Sequence, residues 1–312
     1  MIRIIRTYGI VITAMAFWAF SYVWFKIANI AYEPITIVFF RLLLSVIFLS
    51  LYLIIARKFE KIRKEDRKYF FFIALCEPFF YFVFESYGLT YISSTVASVL
   101  IATIPVFTAI GALILFREKI TLFNFAGIFI SFVGLLIFVL TGDGNLSFNT
   151  RGMILMMMAV LSATGYSLIL RRLALRYRPI YIVNVQNIIG LILFIPVFII
   201  VDGDQIKGLT FNLEPALAII KLAIFASCGA FILFGYAVRS MGVARANMFS
   251  NLIPVMTAIF AYFTIGEIIT VEMFAGILVM IAGLYMTQIT RPGRTLLTPN
   301  IEHNETDNSK TL

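Results

Sequence analysis

The chain has 312 residues, of which 61% are hydrophobic and 13% charged, with a mean hydropathy of +0.98. A soluble domain of this size carries about 25% charged residues, so the composition excludes one and demands a polytopic membrane protein. The net charge of +9 would suggest nucleic acid as the partner of a soluble chain; here it is a bias among loops, and no nucleic acid is expected.

Arg3 and Arg6 precede an apolar run from about residue 8 to 27. Ala14-Met15-Ala16 looks like a cleavage site, but the run continues past it to the length a spanning helix needs, so it reads as a retained first helix. Further spans follow at 34–56, 69–88, 94–116, 122–141, 152–172, 179–201, 216–238, 244–265 and 271–290. That makes ten. The residues after Arg291 are polar and read as a disordered tail, and the sequon at Asn304 carries no weight there.

Basic residues give the orientation. With the first helix entering from the cytoplasm, inside segments hold twenty cations, seven of them between Arg57 and Lys68. Outside segments hold four: Lys26, Arg151, Lys207 and Lys221. The bias predicts both termini in the cytoplasm and a location in the plasma membrane, the bacterial inner membrane.

The fourth and fifth spans recur as the ninth and tenth. Under a shift of 149, Pro105 meets Pro254, Thr108 meets Thr257, Glu118 meets Glu267, Gly127 meets Gly276 and Gly134 meets Gly283. Five helices per half is odd, so the halves run in opposite directions. The Glu118 turn is Arg-Glu-Lys, whereas the Glu267 turn is Gly-Glu-Ile, as the charge rule requires on the far side. The expected architecture is all-α: ten transmembrane helices as two inverted five-helix repeats, 1–145 and 146–290, followed by the tail 291–312.

Candidate site residues follow from polarity inside spans. Glu77, before Pro78, and Glu85 sit in the third span with Tyr81 one turn from each. Intramembrane charges are expensive and normally face an interior cavity. Glu77 is also the candidate for carrying a proton as coupling ion. Arg41 is the basic residue deep in a span; it either pairs with Glu77 or meets a solute carboxylate. Its repeat mate is Gln186, flanked by Asn184 and Asn187. Asn247 and Asn251 stand one turn apart where the first half has Ser98 and Ala102, and either line a cavity or join helices. Trp18, Tyr22 and Tyr166 supply aromatic walls. Pro105 and Pro254 are expected to kink the fourth and ninth spans. Small faces built on Gly127, Ser131 and Gly134, and on Gly276 and Gly283, are packing surfaces within the chain or between protomers.

The paired Pro…Glu…Gly-x6-Gly units, Phe39-Phe40-Arg41, and Trp18 with Tyr22 together resemble the drug/metabolite transporter superfamily, specifically its EamA-like ten-helix exporters. The resemblance covers roughly residues 8–290. It implies a transporter that binds a small organic solute, an amino acid, other metabolite or toxic compound, in a cavity between the repeats. Transport by alternating access is the expected mechanism, with an uncoupled facilitator or channel as the alternative. An intramembrane enzyme finds no support in the residues. His303 is the one histidine and lies in the tail, so Ser–His hydrolysis and a His-ligated zinc are excluded, and no cofactor or metal is expected. Cys76 and Cys228, both in apolar runs, form no disulfide framework.

Overall fold

The computed structural model describes residues 2–116, 122–141, 149–203 and 211–288. The expectations placed on Glu118 and on the tail lie outside them. Every described element is helical, as a chain without water partners for its backbone requires.

Ten helices follow in order. They are α1 (Ile2–Ala28), α2 (Pro34–Ile55), α3 (Arg67–Ala74, Leu75–Phe80 and Tyr81–Tyr91), α4 (Ser94–Ile101 and Ile104–Phe116) and α5 (Leu122–Leu140). The second five are α6 (Thr150–Arg176), α7 (Pro179–Val201), α8 (Leu213–Lys221, Leu222–Ala230 and Phe231–Met241), α9 (Val243–Met248, Phe249–Leu252 and Ile253–Ile265) and α10 (Val271–Gln288). Six are long and apolar enough to cross a membrane; α4, α5, α9 and α10 contribute shorter apolar stretches.

Helices α3 and α8 share an irregularity. In α3 the segment Leu75–Phe80 is a wide π turn, with Glu77 in extended backbone (φ −146°, ψ 118°). In α8 a wide turn covers Leu222–Ala230, which includes Ala226, the residue that matches Glu77. Freed carbonyls in such turns must find partners inside the protein. Ser162 of α6 donates to the Cys76 carbonyl at 2.6 Å, and Asn187 of α7 donates to the Ser227 carbonyl at 3.3 Å.

The breaks in α4 and α9 fall just before the prolines rather than at them. Helix α4 is interrupted at Ala102 and Thr103, and α9 tightens to a 3₁₀ turn over Phe249–Leu252. Pro105 and Pro254 therefore occupy the first turn of the following segment, where a missing N–H costs nothing.

Packing partners recur between the two sets of five. Helix α1 packs on α8 and α9, as α6 packs on α3 and α4; α2 packs on α7 and α8, as α7 packs on α2 and α3. Helices α5 and α10 pack on each other through glycines. A Cβ at Gly134 would strike the Met280 and Gly276 backbone, and one at Gly283 the Ser131 and Gly127 backbone. The contact is backbone against backbone, so neither side can move aside. Gly134→Leu is expected to cost about 2–3 kcal/mol or more and to lower the thermal midpoint in detergent; Gly9→Leu, with open space around its Cβ position, should not.

Carboxylates near helix ends in one set of five close the starts of helices in the other. Asp202, just after α7, accepts from the Thr36 backbone N–H and Oγ1, both at 2.8 Å. Glu33, the residue before α2, supplies no side-chain cap of its own. Glu60, after α2, accepts from the Arg178 N–H at the start of α7, at 3.2 Å. Glu267, after α9, accepts from the Ser94 N–H at 2.8 Å, the Thr95 N–H at 3.1 Å and Thr95 Oγ1 at 2.6 Å, at the start of α4. Gly266 is left-handed (φ 71°), which turns the chain off α9 and aims Glu267 at α4. Orphan N–H groups and the positive helix end make each such carboxylate favourable.

Candidate functional site

One cavity lies among α1, α2, α3, α4, α6, α8 and α9. It gathers eight of the residues singled out by polarity: Trp18, Tyr22, Arg41, Glu77, Tyr81, Glu85, Tyr166 and Asn247. Its volume of about 50 Å³ holds a few water-sized occupants. An organic solute needs the walls to part, so this conformation is contracted.

Arg41 of α2 is 3% exposed and already committed. Its Nε donates to Ser227 Oγ on α8 at 2.9 Å, and its guanidinium lies over the Phe82 ring, 4.1 Å from the centroid. Its Nη1 is 3.9 Å from Glu85 Oε2. Glu85 also accepts from Tyr81 Oη at 2.8 Å. Tyr81 has one hydroxyl proton, so Tyr22 must be the donor in the 3.4 Å contact between the two phenols. A continuous polar relay thus runs Tyr22–Tyr81–Glu85–Arg41–Ser227 across α1, α3, α2 and α8.

Glu77 stands apart from this relay. It is 6% exposed, lines the cavity, and accepts no hydrogen bond and forms no ion pair among the described residues. Arg41 pairs with Glu85, not with Glu77. The wide turn explains the choice: extended backbone at Glu77 breaks the helical register that would place the two glutamates on one face.

Aromatic rings build the facing wall. Trp18 lies edge-on to Phe231 (centroids 5.3 Å apart) and tilted against Phe234 (5.1 Å); Tyr166 meets Phe231 at 5.8 Å. Phe234 occupies the position in α8 that matches Glu85 in α3. Two polar atoms near this wall, Tyr166 Oη and Asn247 Nδ2, are buried without a hydrogen-bond partner.

Four of the polar residues singled out from the sequence lie outside the cavity lining. Asn187 joins helices, donating to Ser45 Oγ at 2.7 Å as well as to Ser227. Gln186 is fully buried with neither amide atom partnered, and Asn251 is 5% exposed with Oδ1 unpartnered. Asn184 accepts from Ser50 Oγ at 3.1 Å. Ser227, the arginine's anchor, was missed from sequence. Its signal was there: under the 149 shift it matches Pro78, so the turn that carries Glu77 has a polar counterpart.

Comparison with known proteins decides the class. The model of the EamA-like transporter family matches twice in succession, over residues 5–140 and 150–289. The chain belongs to the EamA-like transporter family. A protein named an uncharacterized transporter from Archaeoglobus fulgidus is 27% identical over 90% of this chain and 97% of its own length. The Bacillus subtilis protein YcxC, also named an uncharacterized transporter, is 24% identical over 88% and 90%. A Streptantibioticus cattleyicolor protein named a probable terminal-alkyne amino-acid exporter is 23% identical over 69% and 70%. A solved crystal structure superposes with a TM-score of 0.68 at 14% identity, covering 90% of this chain and 96% of that one, a likeness of fold. This EamA-like transporter is therefore a multi-pass membrane protein, and three of its buried charged residues, Arg41, Glu77 and Glu85, line one cavity.

Proposed function

We propose that this EamA-like transporter is a secondary carrier that exports a small amine-bearing solute, an amino acid or a related amine, by alternating access. The observation that carries this is Glu77: a buried carboxylate facing aromatic rings, with no hydrogen-bond donor among the described residues, while Arg41, the cation of the same cavity, is already paired with Glu85. An uncompensated buried charge is costly. An ammonium group compensates it and gains further from the Trp18 and Tyr166 ring faces. A proton compensates it equally well, so one group holds either cargo or coupling ion, and each displaces the other. Asn247 Nδ2, an unpartnered donor, suits the carboxylate of an amino acid, in keeping with the exporter name of the Streptantibioticus cattleyicolor relative.

The reading is of two inverted five-helix repeats, 1–145 and 146–290, in the bacterial inner membrane with both ends of the ten-helix unit cytoplasmic. Recurrent packing partners, paired wide turns and the two successive family matches support it. A reporter fused at residue 62 should score as cytoplasmic, and one in the 211–213 segment as external; the reverse pair of results refutes the orientation.

In this arrangement the Glu267 contacts to Ser94 and Thr95 close the outer side. Glu267→Ala leaves the Ser94 and Thr95 N–H groups of α4 without their acceptor, Ser93 still capping Val96, and should favour outward opening. In a background without Cys76 and Cys228, labelling of Ser21→Cys by an impermeant external thiol reagent is expected to rise about tenfold, since three hydrogen bonds to a half-buried carboxylate are lost and one bond to a charged group contributes about 1.5 kcal/mol. Unchanged labelling removes Glu267 from the gate.

The function is tested in proteoliposomes. Radiolabelled amino acids and monoamines should show saturable flux, counterflow, and accumulation driven by an imposed pH difference. Non-saturating flux without counterflow would instead make the protein a channel, and equal transport of neutral isosteres would overturn the role given to Glu77.

A further inference from the structure

A second cavity, of about 440 Å³, opens between α3 and α7, under the segment that joins α2 to α3, at the end that the orientation proposed above, on which this inference rests, makes cytoplasmic. Its walls are Ile62, Phe70, Tyr181, Val185 and Ile189, and its mouth carries Lys61 and Arg67. Tyr181, Val185 and Ile189 are spaced i, i+4 and i+8, so they form one stripe descending about 12 Å into the membrane along α7.

Among the described residues nothing neutralises those two cations. The three carboxylates of the joining segment are engaged elsewhere. Glu60 faces Arg178 at 3.5 Å, and Glu65 faces Arg176 at 3.5 Å. Asp66, fully buried, is held by Arg176 at 3.0 Å, Arg172 at 3.5 Å and the Tyr177 hydroxyl at 3.0 Å. Lys61 and Arg67 have no hydrogen-bond or ionic partner among the described residues and are exposed. Two free cations at headgroup depth above an apolar furrow that runs along the acyl-chain direction make an amphipathic site with one sign of charge. We propose that this groove holds one anionic phospholipid of the inner leaflet, its phosphate between Lys61 and Arg67 and one acyl chain along Tyr181, Val185 and Ile189. Basic pockets between helices on the cytoplasmic side select anionic headgroups because the low-dielectric wall strengthens the attraction. The lipid would bridge α3 of the first five helices and α7 of the second.

The test uses the full chain in detergent, titrated with phosphatidylglycerol, phosphatidylcholine or inorganic phosphate and read by native mass spectrometry and thermal midpoint. One equivalent of phosphatidylglycerol should be retained in preference to phosphatidylcholine, with a raised midpoint, and phosphate alone should do neither. Lys61→Gln with Arg67→Gln should weaken retention roughly 20- to 30-fold, about fivefold per cation. Lys64→Gln with Lys68→Gln removes the same charge outside the groove and should leave retention unchanged. Val185→Phe with Ile189→Phe fills the furrow, keeps both cations, and should also abolish retention; it decides the matter if the charge variant does not fold. Equal retention of both lipids, equal loss in the control pair, full retention by the filled furrow, or a midpoint raised by phosphate alone each overturns the site.

Discussion

Glu77→Gln is expected to abolish accumulation of amine solutes driven by a pH difference and to weaken their binding by on the order of 100-fold, because truncating one side of a buried charge pair costs about 2–5 kcal/mol. The amide is isosteric and can still accept a hydrogen bond, but it neither compensates an ammonium nor cycles a proton. The protein should fold, since Glu77 makes no hydrogen bond or ion pair among the described residues that the change would break. Removing a buried carboxylate whose cavity cation, Arg41, is already held by Glu85 should even raise the thermal midpoint slightly. Uptake assays with and without a pH difference, alongside a melting curve, check this. A variant that still concentrates amines against their gradient would show that coupling lies elsewhere, and a lowered midpoint would recast Glu77 as structural.

The opposite behaviour is expected one helix away. Arg41→Met takes the counter-ion from Glu85 and the donor from Ser227, leaving a carboxylate that is 6% exposed with only Tyr81 to hold it. Breaking a buried pair from one side costs about 3–5 kcal/mol, enough to deplete the folded protein. The double change Arg41→Met with Glu85→Gln should recover more than half of that loss, because the orphaned charge is removed too. Fluorescence-detected size exclusion of heated samples separates the three proteins. If the double variant is no better than Arg41→Met alone, the arginine acts through Phe82 and Ser227, and its charge on Glu85 is incidental.

These two glutamates show how far residues alone carry the reading. Apolar run lengths and the 149-residue shift made the ten helices legible, because lipid leaves a spanning backbone few choices. The polar and aromatic residues buried in apolar runs pointed to the cavity for the reason that burying them elsewhere is expensive. The expected ionic partner of Arg41 was Glu77, and the structure gives it Glu85 instead. The choice depends on the wide turn at Leu75–Phe80, which changes the rotation between Glu77 and Glu85, and α8 has such a turn with no proline to mark it. Asn187 and Asn247 look alike in sequence, yet one bonds Ser45 and the other faces the cavity. The difference lies in the neighbouring helix, not in either residue. Pro105 and Pro254 free the carbonyls four residues earlier, at Ile101 and Ser250, and the breaks sit there. Asp202 and Glu267 carried no signal for capping, since their partners are 166 and 173 residues away.

That distance has a consequence for biogenesis. During synthesis the start of α2 must wait for Asp202 while 166 residues are added, roughly 8–33 s at 5–20 residues per second. Glu267 reaches α4 only when the ninth helix has left the ribosome. Until then the Thr36 amide of α2 and the Ser94 and Thr95 amides of α4 lack the acceptors that the second half supplies. A chain cut between 140 and 150 and produced as two coexpressed fragments should assemble into active carrier, whereas either fragment alone should be cleared by membrane proteases.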